Sequence, residues 1–119
     1  MVDPITREIL NAFWKVHVLH HAESRSVYGL WLLEELAEHG YRPSPGTLYP
    51  LLARMERNGW LRAQAGERQH ARRNYRITRE GRRVLAVLRE DIRELYREVV
   101  LDVHPQKPAR LKKAAQKRL

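Results

Sequence analysis

At 119 residues the chain has the length of one domain with a modest core, to which pairing with a second copy would add stability. It carries 23 Lys and Arg against 14 Asp and Glu, a formal charge of +9, and no cysteine, which excludes disulfides, zinc–thiolate sites and thiol nucleophiles. No apolar run approaches the roughly 18 residues of a membrane span, and the opening MVDPITRE lacks a basic-then-apolar export signal, so a cytoplasmic location is expected.

The apolar pattern predicts a first helix over 5–21, with Asp3 or Thr6 as cap and Pro4 near its first turn. Ile5, Ile9, Leu10, Phe13, Trp14, Val16 and Leu19 cover more than half its circumference. Such a helix is covered from two sides, and a partner subunit can supply the second. Residues 22–26 (AESRS) read as a turn. A second helix is expected from about Val27 to His39, with Leu30, Leu33, Leu36 and Ala37 on its apolar side and Gly40 as its stop.

The third helix has the clearest punctuation. Ser44 can cap it, and Pro45 suits its first position, where a missing N–H costs nothing. Leu48, Leu51, Leu52 and Met55 make one apolar face. Gly59 is suited to a left-handed stop. A tight link between the second and third helices makes a helix-turn-helix. Strand-like alternation follows at Trp60–Leu61 and Tyr75–Ile77, joined by the basic GERQHARR. That predicts a β-hairpin, the wing of a winged helix.

Thr78 then caps a long helix over 79–102. Its Leu85, Leu88, Ile92, Leu95 and Val99 recur at alternating spacings of three and four, a seam of about two heptads. Pro105 and Pro108 end regular structure. Residues 104–119 hold six of the cations and no acid, which describes a solvated, disordered basic tail able to attract phosphate. The expected organisation is therefore mainly α with a small β-hairpin. Residues 1–78 form the winged helix-turn-helix domain, 79–103 a C-terminal dimerisation helix, and 104–119 the tail.

Several stretches resemble the PadR family of bacterial transcriptional regulators, over roughly Val27 to Leu85. YGLWLLEEL at 28–36 is similar to the family's Gly-Tyr-x-Leu helix with Tyr and Gly exchanged. SPGTLYPLLARMERNGWL, from Ser44 to Leu61, resembles its Gly-Thr-Leu-Tyr-Pro-x-Leu-x-Arg signature. RRNYRITREGRRVL resembles its basic wing and the following helix start. The single helix after the wing is similar to the compact subgroup of the family. The resemblance implies a dimeric winged helix-turn-helix protein, usually a repressor, whose first and last helices form the dimer interface. Phe13, Trp14, Leu88, Ile92, Leu95 and Val99 are the expected interface residues.

A helix entering a major groove presents its N-terminal residues to the bases. The candidates are Ser44, Gly46, Thr47, Tyr49 and Pro50. Gly46 permits close backbone approach, and Thr47 and Tyr49 can donate to phosphates or touch a thymine methyl. Tyr49 can equally pack against the wing. Arg54 can reach a phosphate or a guanine, or else pair with Glu56 or Glu35. On the wing, Arg68, His70, Arg72 and Arg73 can clamp phosphates or enter a minor groove.

His17 stands three and four residues before His20 and His21, spacings that can chelate a metal. Two-histidine sites need ligands from elsewhere, so the plainer expectation is histidines lining the helix surface or the dimer interface, with no metal or cofactor assigned. The serines sit in turns or caps, the glycines are scattered, and the acidic pairs are surface-like, so no enzymatic constellation is present. The expected function is a dimeric, sequence-specific DNA-binding regulator on a palindromic operator, and the family resemblance implies a repressor. A winged-helix protein-interaction module and an RNA-binding protein are the alternatives. A small-molecule effector can be held near Phe13, Trp14, Trp31 and Tyr96, unless those rings form the dimer core.

Overall fold

Helix α1, Pro4–Ser24, begins on a proline, the residue that loses least in a first helical turn. It is followed by α2 (Gly29–Glu38), α3 (Pro45–Arg57), β1 (Leu61–Ala63), β2 (Tyr75–Ile77) and α4 (Arg79–Val99). The computed structural model describes residues 4–64 and 73–103, the side chains of residues 4 and 5 excepted. Arg68, His70, Arg72 and the expected tail at 104–119 lie outside the described residues. The chain divides into two units, Met1–Val87 and Leu88–Leu119.

In the first unit, Trp14, Val18, Leu19 and Ala22 of α1 are buried with Leu32 and Leu36 of α2 and Leu48, Leu51, Leu52 and Met55 of α3. Leu61, Tyr75, Ile77 and Leu85 complete the core. Each fully buried leucine contributes about 1.5–3 kcal/mol relative to exposure, so this packing dominates the stability of the unit. The α3 stripe is buried as its spacing requires. On α2 the stripe runs through Leu32 and Leu36, while Leu30 is exposed, a correction to the expected apolar face.

Local differences have local causes. Helix α1 continues through the expected turn at 22–24, because Ala22 is wholly buried there. Helix α2 starts two residues later than expected, because Val27 is taken into the sheet. The Val27 N–H donates to the Tyr75 carbonyl at 2.9 Å, and the Tyr75 N–H returns a bond at 2.7 Å. The hairpin itself is antiparallel, with Leu61 opposite Ile77, Arg62 opposite Arg76 and Ala63 opposite Tyr75.

Both α2 and α3 end in the same way. Gly40 and Gly59 adopt φ of +89° and +84°, the left-handed conformation that glycine takes without strain. The Tyr41 and Trp60 amides then reach back to the Leu36 and Met55 carbonyls at 2.9 and 3.0 Å. At the other end of α3, Ser44 does not cap with its side chain. Its hydroxyl donates to the Thr47 hydroxyl at 3.2 Å, and only its carbonyl enters the helix. Thr78 does act as a cap: its hydroxyl accepts the Gly81 N–H at 2.9 Å and donates to the Gly59 carbonyl. One side chain thereby starts α4 and ties it to the end of α3. Helix α4 stops at Val99, and Asp102 takes a left-handed φ of 59°.

Candidate nucleic-acid interface

The periodicity that buries four residues of α3 leaves a second set outside. Ser44, Pro45, Gly46, Tyr49, Pro50 and Arg54 are exposed, and Thr47 is half-buried. All the residues singled out on this helix therefore reach solvent on its open side or at its margin. Pro50 lies within the helix and has no N–H, so the Gly46 carbonyl lacks its usual donor four residues on.

The Tyr49 ring is placed by α2. A Cβ built at Gly29 would lie 2.2 Å from Tyr49 Cε1, so the absence of a side chain at Gly29 makes room for the ring. Arg54 is exposed. The two carboxylates considered as its partners are engaged elsewhere: Glu56 with Arg73, and Glu35 with His39, with His21 close by.

Arg73 has a structural engagement at the base of the wing. Its Nη2 donates to both Glu56 carboxylate oxygens at 3.0 and 3.1 Å, and its Nε donates to the Tyr75 hydroxyl at 3.2 Å. The Tyr75 hydrogen bond first, and the Glu56 carboxylate second, hold the guanidinium more firmly protonated than usual. A phosphate contact by Arg73 would compete with these bonds. Arg68 and Arg72 lie outside the described residues.

The hairpin adds two cations that the sequence reading passed over. Arg62 and Arg76 are both exposed and stand directly opposite each other on β1 and β2. Like charges in that position repel, and an anionic partner would relieve the repulsion. The signal was present in the alternation of LRA and YRI, where each strand places its arginine on the outer face between inward-facing neighbours.

The expected interface residues separate by burial. Phe13 is 44% exposed, while Trp14 is only 4% exposed. Trp14 is turned inward with Val18 and Leu19, so it belongs to the core of its own chain rather than to an open interface. Leu88 is half-buried, and Ile92, Leu95 and Val99 are exposed along one stripe of α4. Trp31 is engaged by the Arg25 guanidinium, 4.3 Å from its ring centroid, and by the edge of His21.

Around His21 lies a second constellation. His17, His21 and His39 come together, with His20 beside His21 and Glu35 against both His21 and His39. Burial, followed by the neighbouring imidazoles, pushes His17 below its ordinary pKa of 6.5. Burial also lowers His21, with Glu35 opposing the shift. Neutral imidazoles are the form that offers a lone pair.

Residues 18–87 match the Transcriptional regulator PadR-like family. The chain belongs to this family. Transcriptional regulator Rv3488 of Mycobacterium tuberculosis is 48% identical over 95 residues, which span 79% of this chain and 89% of the relative. A PadR family transcriptional regulator from Eggerthella lenta superposes with a TM-score of 0.67 at 31% identity, over 80% of this chain and 85% of its own. A PadR-like transcription factor from Bacteroides fragilis shares the fold, with a TM-score of 0.69 at 22% identity over 85% of this chain and 100% of its own. This PadR-like protein is thus a transcriptional regulator of a DNA-binding family, not an enzyme. Among its described residues no helix is long and apolar enough to cross a membrane.

Proposed function

We propose that the chain is a homodimeric, sequence-specific repressor that acts in the cytoplasm on a palindromic operator. The observation that carries this reading is the division of α3 into a buried leucine and methionine stripe and an exposed N-terminal face. In this reading Gly46, Thr47, Tyr49 and Pro50 approach the base edges, with Ser44 at the helix entrance and Arg54 on a phosphate or guanine. Arg62 and Arg76, with Arg68 and Arg72 of the wing, supply backbone contacts, and Arg73 joins them on exchanging its bonds to Glu56 and Tyr75 for a phosphate.

The dimer uses Phe13 of α1 and Leu88, Ile92, Leu95 and Val99 of α4. Exposure of Ile92, Leu95, Tyr96 and Val99 on one helical stripe supports this assignment. Residues 1–78 would act as the reader, 79–103 as the dimerisation helix and 104–119 as a basic tail. An effector bound near the first and last helices would release the operator.

Selection from a random duplex pool, followed by a salt titration of the winning sequence, tests the reading. The expected result is an inverted repeat with half-sites about one helical turn apart and a steep salt dependence. Salt-sensitive binding without any enriched sequence would overturn base reading and favour backbone attraction. No duplex binding at all would favour a protein partner or RNA.

A further inference from the structure

We propose that His17, His21, His39 and Glu35 form a binding site for one divalent transition-metal ion of the zinc type. The two helices contribute equally. His17 and His21 are four residues apart on α1, and Glu35 and His39 are four residues apart at the end of α2. Each pair therefore lies on one face of its helix.

Packing brings the pairs together. Ring nitrogens of His17, His21 and His39 all lie within 4.8 Å of one another. Glu35 Oε2 is 3.5 Å from His21 Nε2 and 3.3 Å from His39 Nε2. Metal–nitrogen bonds of about 2.0–2.1 Å place tetrahedral ligand atoms about 3.4 Å apart. Small side-chain rotations would close the cluster to that spacing. His17 and His39 already have ring centroids 5.1 Å apart, and the edge contact with Tyr41 at 5.2 Å helps set the His17 ring.

A separate observation points to a ligand. His21 Nε2 is buried and makes no hydrogen bond among the described residues; Glu35 lies near it but not in bonding geometry. Buried polar atoms without partners are uncommon and call for an occupant. A metal ion would use that lone pair and would draw the Glu35 carboxylate in as the fourth ligand or as a bridge to the imidazoles. Three imidazoles and one carboxylate suit zinc, cobalt or nickel; magnesium and calcium prefer oxygen ligands throughout. His20, the alternative partner of His17 by spacing, is not in the cluster.

The site ties α1 to the last turn of α2. Gly40 and Tyr41 follow at once, and α3 begins at Pro45. A bound ion would therefore fix the helix pair that leads into the exposed helix.

The test uses tag-free, full-length protein freed of metal by a chelator. Cobalt(II) is titrated while its visible absorption is followed, and zinc binding is measured by calorimetry. The expected result is saturation at one ion per chain with the spectrum of a tetrahedral site. His39→Ala, at a half-exposed position, and Glu35→Gln should each weaken binding by at least about tenfold while keeping the helical circular-dichroism signal. Absence of saturable binding in the parent protein would overturn the proposal, as would parental affinity in both variants. Neither readout involves DNA, so failure of the operator reading would leave this result intact.

Discussion

The Tyr49 ring occupies the space that a side chain at Gly29 would need. Helix α2 thus helps to set an exposed residue of α3 through the lack of a side chain. Gly29→Ala should push the ring aside at little cost, because Tyr49 is exposed and free to rotate outward. We expect operator affinity to fall by about tenfold, within the range for loss of one good base-side contact, with a melting temperature within a few degrees of the parent. Anisotropy titration and thermal denaturation on the same preparation check this. Unchanged affinity would remove Tyr49 from the readout.

Gly81 presents the opposite case. A Cβ there would meet the Trp60 carbonyl oxygen at 2.2 Å and Ile77 Cγ1 at 2.8 Å. Backbone cannot rotate away as a surface ring can. Gly81→Ala should destabilise the fold by about 1–3 kcal/mol, the usual cost of overpacking. The shift of the urea midpoint at unchanged slope measures it, and a midpoint equal to the parent's would show that the start of α4 relaxes freely.

The helix-turn-helix could be read from the sequence because its signals are local. Pro45 and Gly59 bracket α3, and the Leu48–Leu51–Leu52–Met55 stripe requires only helical spacing. Val27 is different. A single residue paired with Tyr75 across 48 positions leaves no periodicity to detect, so it reads as the first residue of a helix. The histidine cluster was half visible, since His17 and His21 have chelating spacing alone. Glu35 and His39 repeat that spacing, but only the packing of α1 on α2 makes the two pairs one constellation. The same limit applies to Trp14 and Phe13, adjacent in sequence and equally apolar, which diverge because one faces inward.

Arg62 and Arg76 repel across the hairpin, so their removal should affect the free and bound proteins differently. Arg62→Ala or Arg76→Ala should leave free stability unchanged or raise it by a few tenths of a kcal/mol. Each should weaken duplex binding for all sequences alike and reduce the salt slope by about one unit. Salt-dependent affinity profiles check both expectations. A parental slope in the double variant would show that this face stays in water.

Leu95 is 55% exposed on the apolar stripe of α4. In a dimer built on that stripe, Leu95→Glu would bury a carboxylate without a partner, at a cost of several kcal/mol. Light scattering should report a monomer, with the helical signal kept. A dimer of unchanged mass would exclude the stripe as the interface.

Acid should loosen the α1–α2 junction. In metal-free protein, folding holds the His17 and His21 pKa values below their ordinary 6.5. Their contribution to stability is therefore full above 6.5 and falls as the pH drops below it, because the unfolded chain binds the protons first. His20, His39 and Arg25 face these rings as further positive or titratable charge, and Glu35 opposes them. The urea midpoint should be lower at about pH 5.5 than at about pH 7.5, and His17→Gln should reduce the difference. An equal drop in the variant would assign the acid sensitivity to other groups.

The two glycine stops, the Thr78 bridge and the buried stripe hold α3 without using its outward side chains. Its boundaries and seat are thus independent of the lettering it displays. The exposed Gly46, Tyr49, Pro50 and Arg54 can be rewritten at surface cost, about 0.5 kcal/mol or less for most exchanges. Under the proposed operator reading, one scaffold could therefore be reprogrammed toward many target sequences, and duplicated copies could part company in what they recognise while folding alike.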